Sequence, residues 1–247
     1  MNNTVNRSLA VTGLVVVPLA LAALELFHPA HFTMVPGVSA FLSHPQAGDP
    51  HYNAIAYFGP DWWFLLHMIQ TPLIVVIAFG LLWLTGPFGG YAGARYLWLA
   101  WISRLAAVVF MTYYTVLDGI SGIGLGRQLS VINDQLAAKA LSPSRAEAIR
   151  EFLDGMWIDP WVGGVGSVVS LTGSWAVFVA AVAAAAYLQL NRRASWPVCL
   201  LLIGFGWELQ VTHASYHGPI AFSLLAVASA LHLTRRDPPV QSQPQTR

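Results

Sequence analysis

The feature that most constrains this chain is its series of long apolar runs. A helix rising 1.5 Å per residue needs about 20 residues to cross roughly 30 Å of hydrocarbon. Six stretches approach or exceed that length: 9–27, 62–84, 96–117, 162–190, 196–216 and 220–234. A water-soluble core could not absorb them, because 56% of the 247 residues are hydrophobic and only 9% are charged, against roughly a quarter charged in soluble domains. The expected fold is therefore all-α, a polytopic membrane helix bundle. It has six transmembrane helices in a single domain, 1–236, with one or two short amphipathic helices in an external loop. The segment 237–247, rich in proline and glutamine, is expected to be a disordered cytoplasmic tail.

Taken in order, the first span carries Pro18 and is expected to bend there. It is longer than a signal core and lacks a small-x-small cleavage site, so it reads as retained. The external loop 29–60 contains His31, His44 and His51 but no lysine or arginine. Pro60 suits the first turn of the second span, and Pro72 falls in its middle. The third span is expected to end at Leu117, before the glycine-rich Asp118–Gly126 that opens the second external loop, 119–160. Those glycines follow a membrane helix rather than a strand, which argues against a nucleotide loop. Ser142 and Pro143 form an N-cap pair opening a short helix, with Ala146, Ile149, Phe152, Leu153 and Met156 on one side. The fourth span carries Gly163, Gly166, Ser167, Ser170, Gly173 and Ser174, a small-residue stripe suited to close helix packing. Cys199, the single cysteine, lies within an apolar run, so no internal disulfide can form and a small buried hydrophobe is the expected role.

Six spans put both termini on one side. That side carries Arg7, Arg95, Arg192, Arg193, Arg235, Arg236 and Arg247, whereas the opposite side has Arg127, Lys139, Arg145 and Arg150 in one acid-balanced loop. The positive-inside rule makes the termini cytoplasmic in a cell (inner) membrane. Polar groups then converge on the outer leaflet: Glu25 and His28 from the first span, His67 from the second, Asp118 from the third, and Glu208, His213 and His217 from the fifth. Arg104 and His232, the inward counterparts, lie close enough to a helix end to reach the interface.

Two imidazoles four residues apart on a helix, as His213 and His217 would be, can hold one metal ion, with Gln210 in the same stripe. Each member also has a plainer reading. Glu25 and His28 are spaced to pair with each other near the headgroups. His67, Gln70 and Thr71 could form a helix-to-helix hydrogen-bonding cluster. Asp118, with Tyr114 and Thr115 one turn behind, would oppose the dipole of the helix it ends unless a cation or donor compensates. Glu208 falls off the histidine face, beside Thr212 and Ser215.

Two resemblances extend this reading. The combination Glu25-Leu26-Phe27-His28-Pro29 with Trp63, His67 and Pro72 resembles a loose class of short bacterial inner-membrane proteins with no assigned activity, over the first two spans. Asp118, His67 and the late His213 and His217 are similar to the CREST superfamily of membrane hydrolases, which bind zinc through histidines. Members of that superfamily have seven spans and a serine close to the early histidine, whereas six spans are counted here and no serine lies near His67.

Three functions fit the sequence. The first is a metal centre for zinc or another divalent ion, with ligands drawn from His67, His213, His217 and His28. Glu25, Asp118 and Glu208 would do the proton chemistry, and the site would hydrolyse a lipid-like substrate. The second is a non-enzymatic transporter, sensor or assembly partner using the same groups as a structural or protonatable network. The third is a haem-binding redox subunit with two axial histidines, such as His67 with His213 or His217. The partners implied are the bilayer and a lipid-like or small-molecule ligand. A net charge of +1 gives no reason to expect nucleic acid.

Overall fold

The computed structural model describes residues 8–28, 37–43, 59–86, 95–214 and 216–234. His31, His44, His51, residues 87–94, Ser215 and residues 235–247 lie outside them. Among the described residues every regular element is helical.

The first helix, α1 (Ser8–Glu25), contains a π-helical turn at Thr12–Val16. The Val17 N–H reaches back five residues to the Thr12 carbonyl, directly before Pro18, which has no N–H to donate. The irregularity expected at this proline is thus a widened turn. A short helix, α2 (Val38–Ser43), follows. The next, α3 (Gly59–Thr85), starts at Gly59, whose φ of +76° favours glycine, with Pro60 in the first turn, and it continues through Pro72.

The third apolar run does not stop at Leu117. Helix α4 (Leu97–Leu117) passes into a π-helical segment, Asp118–Gly124, and then into α5 (Leu125–Ala137) without a break. The glycines expected to form a loop lie instead on a helix that passes very close to α3. A Cβ at Gly126 would lie 2.7 Å from the Phe64 backbone nitrogen, and one at Gly122 only 2.2 Å from the His67 ring. Close packing offsets the low helix propensity of glycine, about 1 kcal/mol per residue.

Helix α6 (Pro143–Trp157) starts as its sequence implies, with the Ser142 hydroxyl accepting from the Arg145 N–H. Helix α7 (Val168–Leu190) is capped by Ser167. Its buried face is small: Ala176, Ala180, Ala181 and Ala184. Gly173 lies against Tyr114, where a Cβ would come within 3.1 Å of that ring. Of the expected stripe only Ser170, Gly173 and Ser174 lie on the helix and permit close approach; Gly163, Gly166 and Ser167 fall in the turn before it, because the helix starts at Val168 rather than at 162. Helix α8 (Trp196–Val211) is shorter than the expected fifth span, and α9 (His217–Thr234) completes the chain described.

Helices α1, α3, α4, α7, α8 and α9 pack in sequence order around a ring that closes between α9 and α1. One apolar core, from Leu14 and Leu21 through Phe110 and Phe205 to Phe222, fills it. Five helices are long and apolar enough to cross a membrane: α1, α3, the continuous 97–137 helix, α7 and α9. Helix α8 is apolar but has only 16 residues. The outside of the bundle is correspondingly apolar, with Phe79, Trp98, Trp101 and Leu105 all exposed.

A second, smaller core caps one end, where α2, α5 and α6 meet around Phe41, Leu129, Leu153 and Trp157. Ser39 clamps it, donating from its backbone N–H and its hydroxyl to the two carboxylate oxygens of Asp154, each at 2.8 Å.

Candidate metal centre

Beneath that cap, three histidines from distant parts of the chain come together. His28 follows the end of α1, His67 lies two turns into α3, and His213 sits in the link between α8 and α9. One ligand nitrogen from each lies within 4.8 Å of the others. The ring centroids of His28 are 5.2 Å from His67 and 4.8 Å from His213, while His67 and His213 are 6.3 Å apart. The three rings therefore sit at the corners of a triangle. Zinc ligands at 2.0–2.1 Å in a tetrahedral arrangement lie roughly 3.3 Å apart, so closure onto an ion would draw these nitrogens together by at most about 1.5 Å.

The surroundings set the orientation of each ring. His67 Nδ1 is 2.7 Å from the Trp63 carbonyl oxygen one turn earlier. A carbonyl only accepts, so Nδ1 carries the proton and Nε2 carries the lone pair a metal needs. Trp63 is fixed in turn by its indole N–H, which donates to the Ser121 carbonyl at 2.9 Å. Its ring contacts His67 at 4.6 Å and His28 at 5.1 Å. On the far side of His67, Gly122 leaves the space that a Cβ would remove. His213 Nδ1 lies 3.2 Å from the Tyr114 hydroxyl, and its Nε2 is buried without a hydrogen-bond partner.

Two carboxylates accompany the histidines. Asp118 lines the same small cavity, about 40 Å³ in volume, together with His28, His67, His213 and Trp157. One of its oxygens accepts from the Thr71 hydroxyl at 3.3 Å, and the other is buried without a partner. Glu25 is fully buried with both oxygens unpartnered. Its side chain lies against Gly218 in the first turn of α9, where a Cβ would come within 3.0 Å of the Glu25 chain and 1.9 Å of the His213 carbonyl oxygen. Gly218 thus lets α9 seat both groups.

Several expectations from sequence are corrected here. His213 and His217 do not share a helix face: α8 ends at Val211, and Thr212 is fully extended, with φ −172° and ψ 159°. Outside the triad, His217 opens α9 and its Nδ1 lies 2.7 Å from a Glu208 oxygen. Glu208, expected off the histidine face, is thus the neighbour of His217. Asp118 does not end a helix, because the chain continues into the π-helical segment, so the opposing-dipole argument for it falls away. Tyr114, Ser121, Gly122 and Trp157 complete the surroundings. Of these, Tyr114 was signalled by its position one turn before Asp118, whereas Ser121 and Trp157 gave no sign that they would meet.

The fold and its site define an all-helical chain with the apolar helices of a membrane protein and a buried His28/His67/His213 group at one end of the bundle. No protein-family model, curated protein or solved structure matches it.

Proposed function

We propose that the protein is a multi-pass membrane metalloprotein in which His28, His67 and His213 hold one divalent ion, with zinc the best match to three imidazoles. The observation that carries this reading is the convergence of three ring nitrogens on one buried point beside a cavity. Around that point, Asp118 Oδ1, both Glu25 oxygens and His213 Nε2 have no protein partner. A purely structural polar network would satisfy its members, since each orphaned buried group costs about 1–3 kcal/mol. The orphaned atoms here favour a site that recruits something from outside the chain.

Helix α8 acts as the sixth span in this reading. At 1.5 Å per residue its 16 residues reach about 24 Å, short of a roughly 30 Å hydrocarbon layer. Its end at Val211 therefore sits below the outer surface, which leaves His213 within reach of His28 and His67. Both termini then face the cytoplasm.

His28, His67 and His213 would hold the ion, which would supply Lewis-acid chemistry toward a carbonyl or water. Asp118 is the proton acceptor for that chemistry, because its unpartnered oxygen lines the same cavity. Glu25, buried against Gly218 with both oxygens unpartnered, would supply counter-charge to a bound cation. The chemistry this serves is hydrolysis of a lipid-like substrate reached from the bilayer. Haem is disfavoured by space: about 40 Å³ is far below the several hundred Å³ of a cofactor pocket.

Elemental analysis of detergent-purified protein, with an absorption spectrum, tests the reading. About one zinc per chain with no Soret band supports it. A Soret band, or no metal retained after zinc is supplied, overturns it.

A further inference from the structure

We infer that a lipid acyl chain binds in the apolar cavity between the start of the 118–137 helical stretch and α6, with its head directed toward the histidine cavity. This rests on the metal-site reading for its chemistry, but on separate observations for its place. The cavity has a volume of about 140 Å³ and is lined chiefly by Ile120, Leu125, Phe152, Leu153 and Met156. It shares two wall residues, Ser121 and Trp157, with the cavity of the triad, so the two lie side by side.

Its occupant is indicated by the surface that leads to it. Leu105, Val109, Tyr113, Val116 and Ile120 are all exposed and recur at three- and four-residue spacing, forming one apolar stripe along α4 that ends at the cavity wall. In a bundle whose helices cross the bilayer, this stripe faces acyl chains. On the other wall, α6 divides its apolar residues between two faces. Ala146, Leu153 and Trp157 are buried in the cap, while Ile149, Phe152 and Met156 are exposed along a second stripe beside the cavity. Phe152 is 65% exposed, and with Ile149 and Met156 it makes the patch contiguous rather than a single exposed residue. Two exposed apolar stripes meeting at a cavity fit an acyl chain sliding in from the membrane, and an ester or amide at its head would then reach the Ser121/Trp157 boundary.

The test uses the full-length protein in phosphatidylcholine nanodiscs containing a phosphatidylcholine with a photoactivatable diazirine in one acyl chain. Crosslinked positions are mapped by mass spectrometry, and zinc is measured on the same samples. The expected result is labelling concentrated on residues 120–128 and 152–156. It should fall about tenfold in Ile120→Trp, which narrows the mouth, and in Phe152→Glu, which puts a carboxylate there, with zinc content unchanged. Both positions are exposed, so monodisperse variants are expected. Labelling spread evenly over the outer faces of all helices, or unaffected by either variant, overturns the acyl site. If zinc is retained in that case, the metal centre still stands. Concentrated labelling in protein that holds no zinc supports the acyl site and removes the metal centre instead.

Discussion

At the scale of single residues, the site depends on ring orientation more than on which histidines are present. From sequence, His28 pairs as readily with Glu25 as with a distant ligand set, and no spacing rule connects it to His213. The structure brings the two rings to 4.8 Å because α1 and α9 close the bundle. His67 is held between a hydrogen bond to the Trp63 carbonyl and the bare face of Gly122. Gly122→Ala should therefore push the His67 ring out of register. We expect metal affinity to fall by about 10–100-fold, the usual effect of disturbing the groups that orient a ligand. A zinc titration against a competing chelator measures this, with size-exclusion behaviour confirming that the variant stays folded.

At the scale of elements, the apolar runs, the capped start of α6 and the Ser170, Gly173 and Ser174 part of the small face of α7 were legible in the sequence, because each follows from a local rule. The polar groups of four expected spans could also be assigned to one end. Two breaks were not legible. Nothing in Thr212-His213-Ala214 is a strong helix breaker, so the end of α8 is set by tertiary fit. Gly218-Pro219 reads as a stop signal, yet it lies in the first turn of α9, where proline's missing N–H costs little. The glycines of the π-helical segment likewise read as a loop, because their compensation comes from α3, far away in sequence. The cap could not be foreseen either, since Ser39 and Asp154 are 115 residues apart. Asp154→Ala removes both acceptors of the Ser39 clamp, and charge-assisted bonds contribute roughly 1.5–3 kcal/mol each when well shielded. Hydrogen exchange at residues 38–42 should then speed up by about tenfold or more, while exchange in α7 and α8 stays unchanged.

At the scale of the whole molecule, a ring of six helices with a recessed link at one end accounts for both the apolar exterior and the buried histidines. The crossing of α8 is the part of this arrangement most open to direct test. In a Cys199→Ala background, single cysteines at Gly155, Ser195 and Tyr216, all exposed, can be probed with a membrane-impermeant maleimide. Positions 155 and 216 should label from outside and 195 only after the membrane is opened. Matching behaviour at 195 and 216 would mean that α8 does not cross.

The central claim is that one metal ion is held by His28, His67 and His213, without His217. The most direct measurement is the zinc content of purified His28→Ala, His67→Ala, His213→Ala and His217→Ala proteins beside the parent. About one zinc per chain is expected in the parent and in His217→Ala, and near-complete loss in each of the other three. Loss in His217→Ala equal to that of the triad variants, or retention in His28→Ala, would contradict it.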